Sequence, residues 1–280
     1  MFQWPKSRLC ACLGVALGLV MPASDATGAP SEPATASAYE VVADGLPRAD
    51  NIVIAPDGSL YISLELADGA GSVVRRKNGR RTTIAQGLRR PDGLALTTSN
   101  LYVTEEAPDG RVIEIRLADG RRRVVAKLQK PEGILALADG SLIIMEDLTK
   151  NGRVVHVSSN GKVATLAKNL RKPEGLARDG DGNVYVAESG TGRILRLTDG
   201  GVESVVTGLK RPDQVAIAAD GSIWITEDRV DGRLLRYRAG RLETIVSGLE
   251  QPQGLAFDGS GWLYVAEQGR DRIIRVRQAP

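Results

Sequence analysis

Gly87-Leu88-Arg89-Arg90-Pro91-Asp92-Gly93 heads a block that recurs along most of a 280-residue chain. Behind it come an apolar run, a turn, a second apolar run ending in Glu105, the pair Gly110-Arg111 and a third run. The same order follows Pro131, Pro173, Pro212 and Pro252, at spacings of 40, 42, 39 and 40 residues. A degenerate copy runs from Gly45 to Gln86 with Ala49 in the proline's place, which makes six copies. A period near forty built from short strands predicts a propeller, because one small sheet cannot bury both faces alone and must stack on neighbours around an axis. The expected fold class is all-β, a six-bladed β-propeller with four antiparallel strands per blade.

In the fourth copy the strands are predicted over 175–178, 184–188, 193–197 and 203–207, joined by Asp-Gly and Gly-rich turns. The sixth copy supplies only 254–257, 263–267 and 272–277. Tyr39-Glu40-Val41-Val42-Ala43-Asp44 matches the fourth-strand segments of other copies and, like them, precedes a Gly-Leu pair. It is expected to complete the last blade and close the ring, leaving no free sheet edge. The propeller is therefore assigned to residues 39–280.

Upstream, Lys6 and Arg8 precede an apolar stretch from Leu9 to Val20, and Ser24-Asp25-Ala26 offers small residues for cleavage. Residues 1–26 read as a secretory signal and 27–38 as a flexible Ala/Pro/Ser/Thr linker, with a retained anchor as the alternative, although the apolar run is short for a bilayer. Cys10 and Cys12 both fall inside the signal, so a mature chain has neither disulfides nor thiolate ligands. A periplasmic or secreted monomer with no membrane contact after signal removal is expected. Loss of Lys6, Arg8 and Asp25 takes the formal net charge from +3 to +2, and basic residues occur in every copy. No nucleic-acid partner is expected.

Six versions of each position permit an internal comparison. Second strands end in Glu105, Glu146, Glu188, Glu227 and Glu267, and third strands begin with Arg111, Arg153, Arg193, Arg233 and Arg272. In the first copy both are lost together, to Leu64 and Ser72, as expected of partners that face each other across a hairpin. A second acidic series follows the anchoring proline: Asp50, Asp92, Glu132, Glu174 and Asp213, with Gln253 last. These side chains should crowd the channel mouth. Two residues earlier stand Arg48, Arg90, Lys130, Lys172, Arg211 and Gln251, which an extended backbone would place on the same side as the acids. The result is either a charge-balanced collar or a binding site, since converging carboxylates repel one another unless a cation or polar ligand joins them.

Other candidates carry less. His156, the only histidine, occupies a charged, outward-facing strand position. Asp179-Gly180-Asp181-Gly182-Asn183 has Val184 where a calcium loop needs its glycine, and reads as a turn. Tyr61, Tyr102, Tyr185, Trp224 and Tyr264 share one strand position suited to packing between blades.

Lys172-Pro173-Glu174-Gly175-Leu176-Ala177, Gly182-Asn183-Val184-Tyr185-Val186-Ala187-Glu188 and Gly192-Arg193-Ile194 resemble the blade motif of NHL-repeat propellers and of gluconolactonase/regucalcin-like propellers, over residues 39–280. The resemblance implies a divalent cation, Ca2+ or another, at the top of the channel, with Asp50, Asp92, Glu132, Glu174 and Asp213 as ligand positions. It also implies lactone or ester hydrolysis there, with Asp213 or Glu174 as general base. The chain departs from that pattern in lacking Asn-Gly at these positions, with only Asn51 as an amide contributor, and in the basic residues that precede the acids. The alternative function is a non-catalytic NHL-like propeller that binds a small-molecule ligand, a peptide or a protein on its top face. A cofactor-dependent sugar dehydrogenase stands a distant third, because such enzymes use a catalytic histidine that His156 is badly placed to provide.

Overall fold

The structure is a computed structural model that describes residues 39–199 and 201–278. The segments read as signal and linker, 1–26 and 27–38, lie outside the described residues. Among the described residues no helix is long and apolar enough to cross a membrane.

Six four-stranded antiparallel sheets form the ring. Blade 4 shows the pattern, with strands at Pro173–Arg178, Val184–Glu188, Arg193–Thr198 and Gly201–Val206. Blade 6 takes Pro252–Phe257, Trp262–Glu267 and Arg272–Arg277 from the C-terminal part of the chain, and its outer strand is Glu40–Ala43. That strand pairs antiparallel with Arg272–Arg277, Glu40 opposite Arg275 and Val41 opposite Ile274. The ring closes as the repeat alignment requires.

There is no single core. Buried apolar side chains fall into six clusters, each in the wedge between neighbouring blades, because every sheet carries apolar residues on both faces. The repeated aromatic belongs to these wedges. Tyr61 packs against blade 2, Tyr102 against blade 3 and Trp224 against blade 6, where it meets Phe257 edge-on at 6.3 Å. The repeated Gly-Arg and Pro also meet between blades. A Cβ on Gly110 would lie 2.2 Å from the ring of Pro131, so only glycine allows the two blades to approach this closely.

The Glu-Arg pairs are clasps within the blades. Glu188 lies opposite Arg193 in the ladder and accepts from its guanidinium at 2.6 Å, while its other oxygen accepts from the Arg171 N–H at 2.9 Å. Equivalent carboxylates at Glu105, Glu146, Glu227 and Glu267 bind Arg111, Arg153, Arg233 and Arg272, and the N–H of Arg89, Gln129, Lys210 and Glu250. Each clasp ties the chain entering a blade to its second and third strands. In blade 1 a third loss accompanies Leu64 and Ser72: the residue that would supply the N–H is Pro47, which has none. Leu64 is buried instead in the apolar wedge with Leu46 and Ala49.

Candidate functional site

Each inner strand begins at the anchoring proline, or at Ala49 in blade 1, and the next side chain faces the mouth of the central channel. The inner strands lie unusually close. A Cβ on Gly93 would stand 2.2 Å from the carbonyl oxygen of Glu132, and Thr104 Oγ1 donates to that same carbonyl at 2.8 Å. Glycine after the acid, and a hydroxyl on the second strand, thus draw neighbouring carboxylates together. Asp50, Asp92, Glu132, Glu174 and Asp213 all line one cavity of about 230 Å³.

The basic residues do not sit as an extended backbone would place them. Arg48, Arg90, Lys130, Lys172, Arg211 and Gln251 all adopt left-handed φ, from 43° to 54°. Each such non-glycine residue costs on the order of 1 kcal/mol or more. Glycine would relieve that cost, yet none of the six copies carries it there, so the side chains themselves matter. The turn lets the carbonyl accept an N–H from the residue just beyond the second strand: Arg48 from Glu65, Arg90 from Glu106, Lys130 from Asp147 and Arg211 from Asp228.

Those residues form a further acidic series that the sequence reading missed. Arg48 pairs with Glu65 at 2.7 Å, Arg90 bridges Glu65 and Glu106, Lys130 reaches Glu106 at 3.0 Å and Arg211 reaches Asp228 at 2.7 Å. Only Lys172 bonds the acid two residues on, Glu174 at 2.5 Å, and in that blade the second acid is replaced by Ser189. The signal was present as doubled acids, Glu105-Glu106, Glu146-Asp147 and Glu227-Asp228. The second acid of each pair follows a clasp glutamate directly, and its side chain alternates to a different environment, the channel mouth.

With the bases engaged in this outer layer, the inner ring is left short of positive charge. Among the described residues Asp92, Glu132 and Asp213 have no basic partner within salt-bridge distance, and Asp50 has the amide of Gln268 at 2.7 Å. The lining holds nine carboxylates against four basic side chains, so the cavity favours a cation. Burial, and then the charge of Glu65, pushes the Asp50 carboxyl well above the ordinary range. Burial followed by Asp50 does the same to Asp92, and burial followed by Glu174 to Glu132 and Asp213. Asp147 rises to about 6, chiefly by burial and then by Glu174.

A pH dependence follows. Carboxyls with raised folded-state values bind protons more tightly in the fold than in the unfolded chain, so they erode stability as pH climbs from about 4 through their raised values. The clasps act oppositely. Burial alone would raise Glu105 and Glu188, but hydrogen bonds from Arg111 and the Arg89 N–H, and from Thr191, the Arg171 N–H and Arg193, leave both below their ordinary value. Their contribution is present above about 4.5 and disappears as pH falls through the lowered values. In the presence of chelator the melting temperature should peak in mild acid, at about pH 5, and decline toward pH 7.5. A melting temperature that climbs steadily across that interval would contradict the proton-sharing ring.

The ring suits a hard cation. Carboxylate oxygens of Glu132, Glu174 and Asp213 all lie within 4.8 Å of one another, about the span across one Ca2+ with ligands at about 2.4 Å. Glu132 Oε2, Asp147 Oδ1 and Asp228 Oδ1 are buried at this cavity without a hydrogen-bond partner, a costly condition that a bound cation relieves. The donor set is all oxygen, which matches calcium, magnesium or manganese chemistry. Of the five sequence-derived ligand positions, three fall within reach of one ion, and Asp50 and Asp92 line the same cavity beside them.

The remaining candidates lie elsewhere. Asn51 accepts from the N–H of Ile52 at 2.9 Å and lines a separate cavity with Leu94, Ile134 and Phe257, not the acidic mouth. His156 is half-buried on the third strand of blade 3 and is not among the mouth residues. Asp179 accepts from Asn183 N–H at 2.8 Å and Nδ2 at 2.7 Å, as turn chemistry requires.

A sequence pattern for the family described as SdiA-regulated matches residues 124–189, less than two blades. No curated protein matches the chain. Solved structures share the fold over nearly its whole length. Regucalcin of Agrobacterium tumefaciens, described as calcium-binding, is 18% identical with a TM-score of 0.68, covering 86% of this chain and 93% of its own. A gluconolactonase of Xanthomonas campestris is 16% identical with a TM-score of 0.69, covering 89% and 97%. A PQQ-bound aldose sugar dehydrogenase of Streptomyces coelicolor is 19% identical with a TM-score of 0.70, covering 85% and 96%. At these identities the likeness establishes a shared six-bladed architecture.

Proposed function

We propose that this protein is an exported, gluconolactonase-like hydrolase that holds a divalent cation of the calcium class on Glu132, Glu174 and Asp213 and cleaves a lactone or ester at the channel mouth. The observation that carries the proposal is the convergence of these three carboxylates within 4.8 Å, beside buried carboxylate oxygens that lack partners. The shared architecture with a calcium-binding regucalcin and a gluconolactonase supports it. A bound cation supplies Lewis-acid polarisation of the carbonyl and a lowered pKa for an attacking water.

The chain's own groups do the rest. Glu132 and Glu174 are buried, and Lys172, bonded to Glu174 at 2.5 Å, fixes that carboxylate's direction. Asp213 is the most accessible of the three. In the cation-free ring, burial and the charge of Glu174 hold its carboxyl well above the ordinary range, which makes it a stronger base than a free carboxylate and a candidate to accept the proton of the attacking water. Arg211 and Arg90, at the rim, can donate to oxygens of a polar substrate.

One observation favours a second reading, a non-catalytic propeller that binds a ligand or partner on this face. The mouth is lined by charged and amide side chains alone, so it offers no apolar wall to grip an acyl group.

The test is elemental analysis of the purified protein, melting with added Ca2+ or Mn2+, and assay on a panel of lactones and aryl esters. At a hundred times the dissociation constant the cation should add about 2.7 kcal/mol. Asp213→Ala should abolish both the melting shift and the hydrolysis. Absence of metal, of a melting shift and of hydrolysis in the unaltered protein would defeat the enzyme reading in favour of the second.

A further inference from the structure

We propose that the hairpin joining the third and fourth strands of blade 1 is a docking surface for a membrane rich in anionic lipid. At the equivalent hairpin blade 5 sets one like-charge pair opposite, Arg238 with Arg241, and Arg238 has Asp220 at 3.4 Å, whereas blade 1 sets two. Where the third and fourth strands face each other, blades 2, 4, 5 and 6 carry opposite charges: Glu114 with Arg123, Arg196 with Glu203, Arg236 with Glu243, and Arg275 with Glu40. In blade 1 the equivalent pair is Arg75 and Thr82, and the next two facing pairs are Arg76 with Arg81 and Lys77 with Arg80. Like charges directly opposite each other destabilise a hairpin. The arrangement is held by a tight turn, Asn78-Gly79, whose residues both have positive φ.

Little acid compensates this charge. Asp57 pairs with Arg75 at 3.0 Å and Lys77 at 2.6 Å, but among the described residues Arg76, Arg80 and Arg81 are paired with no carboxylate. Arg122 of blade 2, bonded to the Gln86 carbonyl of blade 1, adds a further cation beside the outer strand. A crevice lined by Arg75, Lys77, Asn78, Arg80 and Thr82 opens on one face, with donors suited to a phosphate.

Where the chain enters the ring argues for a lipid surface as the source of that phosphate. Arg81 donates to the Gly45 carbonyl at 2.9 Å, six residues after the first described residue, Tyr39. The apolar run Leu9–Val20 ends nineteen residues before Tyr39, a reach of at most about 65 Å, so a chain that keeps this run as an anchor, the alternative to its removal, holds the hairpin near the bilayer. A short apolar segment holds a membrane weakly by itself, and a basic patch is the second signal that makes attachment durable. This reverses the expectation that the propeller has no membrane contact, and it is independent of the channel-mouth site.

The full chain should be sedimented with vesicles of phosphatidylcholine alone and of phosphatidylcholine with phosphatidylglycerol, in low salt. Phosphatidylglycerol should raise binding strongly. Arg76→Gln/Arg80→Gln/Arg81→Gln should remove roughly fivefold of that gain per residue, on the order of 100-fold together. Lys150→Gln/Lys162→Gln/Lys168→Gln, with the same charge change elsewhere, should retain it, as should Asp213→Ala. The hairpin variant should melt at or above the original temperature, since it loses like-charge pairs, so lost binding will not reflect unfolding. Equal binding to both vesicle types, equal loss in the two triple variants, or retention of a DNA duplex by the same arginines without preference for phosphatidylglycerol would each overturn the proposal.

Discussion

A chain that starts at Gly45, and so lacks Tyr39–Asp44, is expected to lose roughly 3–6 kcal/mol of stability, a large share of the 5–15 kcal/mol typical of a domain. Ala43 is buried and Val42 packs in the wedge with Leu46 and Ile273, while Tyr39 packs against the wedge between blades 5 and 6. Burying side chains of this kind is worth about 1–3 kcal/mol each. Tyr39 also lies under the Arg272 guanidinium at 5.3 Å and bonds it through its hydroxyl at 3.0 Å. The exposed Arg275–Glu40 pair adds little. Without these contacts the edge of Arg272–Arg277 is bared, its ladder groups are unpaired, and intermolecular pairing becomes available. Differential scanning calorimetry should show a fall on the order of 10 °C, and light scattering should report association. An unchanged melting temperature would show that the ring does not depend on this strand.

The second large effect belongs to the clasps. Glu188→Gln should cost about 1–3 kcal/mol, because Glu188 is almost wholly buried and loses its charge-assisted hydrogen bonds, while the partly exposed Arg193 guanidinium keeps part of its water. Ligand affinity at the channel mouth should change little, since Glu188 is not among the residues lining it. Blade 1 supplies the control. Combining Glu188→Leu, Arg193→Ser and Arg171→Pro reproduces the Leu64, Ser72 and Pro47 set and removes donor, acceptor and N–H together. The triple variant should be more stable than Glu188→Gln alone, because replacing a whole buried network with apolar groups is cheaper than leaving part of it unpaired. A triple variant worse than the single one, or a Glu188→Gln protein of normal stability with collapsed cation binding, would exchange the roles of the two acidic series.

Much of this architecture is legible in the residues themselves. Leu-x-x-Pro recurring near every fortieth position, with its degenerate copy at Leu46–Ala49, determines the blade number, and the copies declare the strands, since a period-two apolar run bounded by Asp-Gly can do little else. Tyr39–Asp44 is recognisable as the last outer strand because it resembles the other outer strands and leads into the same Gly-Leu pair. Glu-Arg pairing is visible because both members vanish in one copy.

What the sequence could not decide is which charges meet. Left-handed φ turns Arg48, Arg90, Lys130 and Arg211 away from the acids two positions on and toward Glu65, Glu106 and Asp228, while Lys172, with the same φ but Ser189 beyond its second strand, still meets Glu174, and nothing in an arginine or lysine announces positive φ. Likewise the 4.8 Å convergence of Glu132, Glu174 and Asp213 depends on how closely three separate blades approach at the axis. The sequence alone determined the repeat, its strands and their closure, because these follow from local periodicity and from side chains that pair within one blade. Tertiary structure alone decided the charge partners at the channel mouth and the ring geometry, because they depend on left-handed turns at the blade entries and on distances between blades some forty residues apart.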